Sequence, residues 1–232
     1  MANQFEIDKL YNDLERVGNY FVGQSINVIY TKRFGGIWQS DEAEIAKIYN
    51  AEPGDYKIID RNRNNIIDDD DRDFVGQTTP QFFGSFSNTF KSHGFDLTIF
   101  LTYAGGHKIY NPFAYLDSYS PSANMSPDYY HNYWTPERPS NKYPRLGSTN
   151  SQLYETDGMY QKGDYIRLKN LELGYTLPRN IANKVYASNI RVYASVQNLV
   201  TFTKYTGFDV ETSNANPYPA CRVFMGGLTV NF

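Results

Sequence analysis

The last ten residues, Val223 to Phe232, read V-F-M-G-G-L-T-V-N-F. Phe224, Gly226, Leu228, Val230 and Phe232 share one parity, and Met225, Gly227, Thr229 and Asn231 the other. A period of two marks an extended strand with different chemistry on its two faces. One face here is apolar to aromatic, the other is smaller and mostly polar, and the strand runs into an aromatic carboxy-terminal residue. In a soluble domain such a strand would leave an exposed apolar edge, which invites aggregation. In the wall of a transmembrane β-barrel its edges are paired and lipid covers its apolar face.

Composition narrows the partners. The formal net charge of −3 gives no basic footprint for nucleic acid. Aromatics make up 16% of the chain, with 21 Tyr and 15 Phe against 2 Trp, and tyrosine suits membrane interfaces and wet binding surfaces. The single cysteine, Cys221, excludes an internal disulfide framework and a multi-cysteine metal site. There is no run of about 18 apolar residues, so no transmembrane helix is expected; barrel strands need only about 9–11 alternating residues each. The stretch from Met1 to Leu10 is polar and charged, without the apolar core of a signal peptide. An exported barrel needs such a signal, so the chain is expected to be the carboxy-terminal part of something longer.

The pattern predicts six strands: Gln24 to Trp38, Gln81 to Lys91, Phe95 to Tyr103, Tyr165 to Leu177, Asn189 to Gln197, and the terminal one. The third is the clearest, with Phe95, Leu97, Ile99, Leu101 and Tyr103 on one face. The fourth changes phase, from Ile166 and Leu168 to Leu171, Leu173, Tyr175 and Leu177. One extra residue near Asn170, a β-bulge, would keep both sets on the same side. The connections alternate long and short: 39–80, 92–94, 104–164, 178–188 and 198–222. Long external loops and short periplasmic turns are the outer-membrane barrel pattern, and this alternation puts the carboxy terminus on the periplasmic side. One short loop helix is expected, capped by Ser40, with Asp41-Glu42 in its first turn and Pro53-Gly54 after its end.

These residues also resemble a family. Val22-Gly23-Gln24-Ser25-Ile26, Gly35-Gly36-Ile37-Trp38-Gln39, Pro53-Gly54-Asp55, the run from Asp60 to Asp68, Asp71-Arg72 and Val75-Gly76 follow one another as in the carboxy-terminal portion of SusC/RagA-like TonB-dependent outer-membrane transporters of Bacteroidota. So do Tyr133-Trp134-Thr135-Pro136-Glu137, Tyr143-Pro144-Arg145, the run Gly163 to Asn170, Leu173-Gly174-Tyr175, Gln197-Asn198-Leu199 and the terminal Phe. The resemblance covers nearly all of residues 22–232. It implies an all-β fold: an antiparallel transmembrane β-barrel segment supplying roughly the last third of about 22 strands. It also implies a SusD-like surface lipoprotein as lid, and energy from the TonB complex acting through an amino-terminal plug region and earlier strands that this sequence does not contain. The terminal strand, through Phe224, Leu228, Val230 and Phe232, would carry the signal read by the outer-membrane insertion machinery.

One local motif has metal chemistry. Asp60, Asn62, Asn64, the Ile66 carbonyl, Asp68 and Asp71 occupy the oxygen-ligand positions of a 12-residue Ca2+ loop, and oxygens suit that hard cation. Asn65 stands where such loops carry glycine, and Asp71 where they carry a longer glutamate. The alternative is an Asn/Asp-rich turn folded through its own side-chain-to-backbone bonds. The long loop offers Tyr115, Tyr129, Tyr130 and Trp134 as substrate or partner contacts, or as its own packing. The aspartate run has no accompanying nucleophile or histidine, and the three histidines match no ligand spacing, so no enzyme is expected. Import of bulky nutrients such as oligosaccharides or peptides is the leading expectation. The alternatives are a non-transporting structural barrel subunit and a soluble calcium-binding β-sandwich, which would bury its apolar faces against a core.

Overall fold

Alternating residues on neighbouring strands pair so that their apolar parities coincide, and this builds the main sheet. The structure is a computed structural model that describes residues 6–111, 127–148, 155–212 and 218–232. The chain forms two units, one chiefly of Pro80–Gly106 and Gly163–Phe232, the other of Gln4–Thr79 and His107–Lys162. The first unit holds β1 (Phe82–Ser92), β2 (Phe95–Gly105), β3 (Tyr165–Thr176), β4 (Asn189–Thr203) and β5 (Val223–Asn231), antiparallel and neighbours in chain order. Five of the six predicted strands are these. No helix among the described residues is long and apolar enough to cross a membrane.

The register explains the two faces. Leu97 of β2 lies opposite Phe90 of β1 and Leu173 of β3, and Leu173 opposite Ala194 of β4. Val192 of β4 lies opposite Leu228 of β5, on the same side. The register shifts between Leu168 and Asn170, so the expected bulge falls at Lys169 and keeps Ile166 and Leu168 in phase with Leu171 and Leu173. On β4 the facing irregularity contains Asn198 at φ 52, and the strand continues past its predicted end at Gln197 to Thr203. The opposite face carries Ser87, Thr89, Lys91, Asp96, Thr98, Arg167, Glu172, Arg191, Ser195 and Thr229, in register with one another. The Thr89 and Thr98 hydroxyls bond across it at 3.0 Å.

Among the described residues no layer covers the apolar face. Phe86, Phe90, Ile166, Leu173, Phe202, Phe224 and Leu228 are all exposed, Phe224 at 75%. In water this would be a contiguous apolar surface far larger than a soluble monomer tolerates. The sandwich alternative requires a covering layer, and among the described residues none is present.

The second unit is built from short pairs. Val28–Thr31 pairs with Asp73–Gln77, Phe34–Ile37 with Tyr56–Ile58, and Lys108–Tyr110 with Tyr160–Lys162. The predicted strand Gln24 to Trp38 is therefore corrected: it is two short strands, neither in the five-stranded sheet. Gly36 at φ 102 and the register shift between Phe34 and Gly36 break its alternation. Ile37, Tyr56, Trp134 and Met159 form one buried cluster, and Trp38, Ala46 and Ala51 another.

The loop helix is present as a tight turn at Ser40–Glu42 followed by Ala43–Ile48. Its cap is Gln39, not Ser40: the Gln39 N–H donates to the Glu42 carboxylate at 3.1 Å and the Glu42 N–H to the Gln39 carbonyl at 3.0 Å. It ends at Asn50, whose left-handed φ of 54 lets the Ala51 N–H reach the Ala46 carbonyl at 3.0 Å, before Pro53 is met. Two more helices, Pro127–Asn132 and Arg179–Ala182, are too short for periodicity to reveal.

Candidate functional site

The polar sheet face holds its charges in fixed pairs. Arg191 on β4 reaches across β3 to Asp96 on β2, with Nε donating to Asp96 Oδ1 at 3.0 Å and Nη2 to Glu172 Oε1 at 2.7 Å. Gly174 lies beneath the guanidinium; a Cβ there would come within 2.3 Å of Nη2. Arg191, Asp96 and Glu172 line an open basin of about 670 Å3 together with Thr89, Lys91, His93 and Thr98. Arg191 and the two carboxylates satisfy one another, so the cluster presents a patterned field rather than a free general base.

The run Gly163 to Asn170 fastens a loop to this face. The Asp164 carboxylate accepts from the Gly106 N–H at 2.7 Å, and the Asp164 carbonyl accepts from the Thr203 hydroxyl at 2.9 Å. Arg167 is buried and donates to Asp209 and Glu211 at 2.6 Å each, and to the Thr201 hydroxyl at 2.8 Å. Lys169 and Tyr165 also bond Glu211, at 2.7 and 3.2 Å. Burial pushes the Asp209 carboxyl up, but Arg167 and the Glu211 and Ala220 N–H groups hold it below the ordinary carboxylate range. Sequence reasoning missed Asp209 and Glu211. The available signal was two acids in the connection that follows β4, with Arg167 and Lys169 on its neighbour.

The segment from Asp60 to Asp71 folds on its own backbone. Asp60 accepts from the Arg63 and Asn65 N–H groups and from the Tyr49 hydroxyl. Asn62 accepts from the Asn64 N–H at 3.0 Å, Asn64 from the Ile66 N–H at 2.8 Å, and Asp68 from the Asp70 N–H at 2.9 Å. Asp71, 1% exposed, accepts from the Arg61, Asn62 and Asp68 N–H groups. Asn65 takes the left-handed conformation at φ 66, as its place in the motif requires, and Arg63 joins it at φ 59. Burial raises the Asp60 carboxyl, yet the Asn65 N–H, the Tyr49 hydroxyl and the Arg63 and Asn64 N–H groups together hold it below the ordinary range. No group of three or more acidic, His or Cys side chains converges as a metal cage among the described residues. The oxygens aimed at amides build a self-capped turn. Asp71→Ala leaves three N–H groups without their acceptor. It is expected to cost about 1–3 kcal/mol locally and to open this segment to protease, with the same cleavage pattern in Ca2+ and in chelator. Protection that appears only with Ca2+ would instead support the metal reading.

The proposed aromatic contacts separate. Tyr115 lies outside the described residues. Tyr129 is 0% exposed, its ring 5.1 Å from that of Tyr143, and Trp134 is buried with its Nε1–H on Gln39 Oε1 at 2.9 Å. Both pack the second unit, the packing alternative for these residues, while Tyr130 is exposed. Two separated motifs meet here: Arg145 Nε donates to Asp55 at 3.0 Å, and the Arg145 N–H to the Gly54 carbonyl at 2.8 Å. Gly54 sits at φ 92, and a Cβ would come within 2.5 Å of Trp134 and 2.7 Å of Arg145. Gly54→Ala is expected to destabilise this unit by about 1–3 kcal/mol, read as earlier loss of the Trp134 environment in a fluorescence melt. Phe224, Leu228 and Val230 are exposed on the apolar face of β5, and Phe232 is exposed just after its end.

No family model matches the chain. It is 31% identical over 228 residues to the TonB-dependent receptor P3 of Formosa agariphila, covering 90% of this chain and 22% of the relative. It is 27% identical over 187 residues to the TonB-dependent receptor SusC of Bacteroides thetaiotaomicron, covering 79% and 18%. The fold matches a solved structure of the RagAB peptide transporter with TM-score 0.78 at 24% identity, over 98% of this chain and 25% of that one. The chain thus spans about a fifth to a quarter of the length of these relatives. It is a segment of the SusC/RagA-like family of TonB-dependent receptors. These relatives are receptors and transporters, not enzymes.

Proposed function

We propose that this chain supplies wall strands and connecting loops of an outer-membrane, TonB-dependent importer. The observation that carries the reading is the uncovered apolar face running across all five strands, backed by a hydrated, charged face. Such a sheet is stable where hydrocarbon replaces water on one side only and further strands close its β1 and β5 edges into a barrel of about 22 strands. The connections 106–164 and 204–222 leave from one end of the sheet and the short turns at His93-Gly94 and Leu177–Ser188 from the other. The long connections are then external, and the carboxy terminus is periplasmic. The relatives support TonB coupling and a SusD-like surface lipoprotein. RagAB is a peptide transporter, which supports bulky nutrients, peptides or oligosaccharides, as cargo. The test is fractionation and uptake: the polypeptide carrying this sequence should be in the outer membrane, and its substrate uptake should stop when the proton gradient is dissipated. Uptake unchanged when this polypeptide is removed would favour the structural-subunit alternative, uptake through it that is indifferent to the gradient would overturn TonB coupling, and a soluble pool would overturn the barrel. Deleting Phe232 should lower the outer-membrane level more than Asn231→Ala, because the terminal aromatic ring is lost only in the deletion. Immunoblots of membrane fractions read the difference.

A further inference from the structure

The turn Leu177–Ser188 pays for an aromatic side chain that the chain itself does not use. Its helix Arg179–Ala182 continues as a tight turn, Asn183–Val185, and closes with Tyr186 at φ 59, ψ 23. The Tyr186 N–H bonds the Asn183 carbonyl at 3.2 Å and the Ala187 N–H the Ala182 carbonyl at 3.1 Å, a helix ending that favours glycine at this place. A bulky residue there is strained. The ring gains no compensating contact, since Tyr186 is 92% exposed. Ile181 and Val185 are exposed beside it, while Ala182 and Ala187 are buried and hold the turn in place. The charge is one-sided: Leu177–Ser188 contains Arg179 and Lys184 and no acid, and neither cation is in an ion pair among the described residues. The turn is tied to the end of the sheet. The Ser188 N–H and hydroxyl both bond the Asn231 carbonyl, at 2.7 and 3.0 Å, next to Phe232, which is 88% exposed.

We propose that this turn is an interfacial anchor. Tyr186, Val185 and Ile181 seat in the boundary between headgroups and acyl chains, and Arg179 and Lys184 meet phospholipid phosphates. This placement supplies what each feature lacks: a low-polarity home for an amphipathic ring and anions for two unpaired cations. It rests on the reading of the sheet as a membrane wall. The test places tryptophan at Tyr186 (Tyr186→Trp) or, separately, at Ile99 (Ile99→Trp) in the receptor containing this chain, folded into phosphatidylcholine–phosphatidylglycerol vesicles. Brominated phosphatidylcholine, with bromines either shallow or deep in the acyl chain, quenches the emission; the unsubstituted receptor gives the background of its native tryptophans. Tyr186→Trp should lose more emission to shallow bromines and Ile99→Trp more to deep ones. Quenching of Ile99→Trp by bromines with Tyr186→Trp reached only by aqueous acrylamide would overturn the anchor and leave the wall. No bromine quenching at either position would overturn the wall, and the anchor with it. Raising the phosphatidylglycerol share should deepen shallow quenching of Tyr186→Trp, and Arg179→Gln with Lys184→Gln should abolish that increase. An unchanged increase would remove the phosphate contact from the proposal.

Discussion

An arginine at Ile99 is expected to destabilise the folded receptor by roughly 2–4 kcal/mol, and an arginine at the adjacent Thr98 by much less. Ile99 lies between Asn88 and Leu171 on the apolar face, near the middle of β2. A guanidinium there must enter hydrocarbon or drag water and headgroups inward. Thr98 points to the other side, opposite Glu172, and lines the basin that also contains Asp96. A cation there meets water and a patch of mixed charge, Asp96 and Glu172 with Arg191 and Lys91. The comparison isolates sidedness, because both substitutions introduce the same side chain and charge at neighbouring residues of one strand. Denaturant titrations in detergent micelles or vesicles measure it, and equal tolerance at the two positions would refute the lipid assignment of this face.

The sheet was legible because its signal is local. Period-two alternation in Phe95 to Tyr103 and in the terminal strand fixes sidedness residue by residue, and the phase change after Leu168 has one economical explanation, a bulge, which the register contains. The second unit was not legible for the opposite reason. Its strands are three to five residues long where they pack, too short to carry a period, and its core joins Ile37 and Tyr56 to Trp134 and Met159 across a long stretch of chain. Nothing near Tyr129 or Trp134 in sequence distinguishes an aromatic that fills this core from one that meets a ligand. The resemblance motifs behave alike: Pro53-Gly54-Asp55 and Tyr143-Pro144-Arg145 look like separate recognition segments but are two halves of one packing contact. The Asp60 to Asp71 run shows a limit of composition. The same oxygens can face a cation or backbone amides, and only the fold of the segment separates the two.

Arg167→Met is expected to release the loop 204–222 from the wall. The side chain holds two carboxylates and a hydroxyl at once, and Arg167 and Asp209 are each about 4–5% exposed. Removing one partner of a buried ion pair strands the other and typically costs about 3–5 kcal/mol. Here the loss is capped by the stability of the loop itself, so the sheet stays folded while 204–222 becomes a protease target. Arg167→Lys should rescue little, since one ammonium cannot span Asp209, Glu211 and Thr201 as a planar fork does. Arg167→Met with Asp209→Asn should recover part of the protection by removing the stranded charge. The pH dependence has a definite sign. Asp209 has a folded pKa held below its ordinary value of 3.8, so its contribution is present above that value and is lost as the pH falls through the lower, folded one. Limited proteolysis of the wild type should therefore show a closed loop at neutral pH and an opening only below the ordinary aspartate range. Cleavage of Arg167→Met identical to wild type at neutral pH would mean that the loop is held by something other than this clamp.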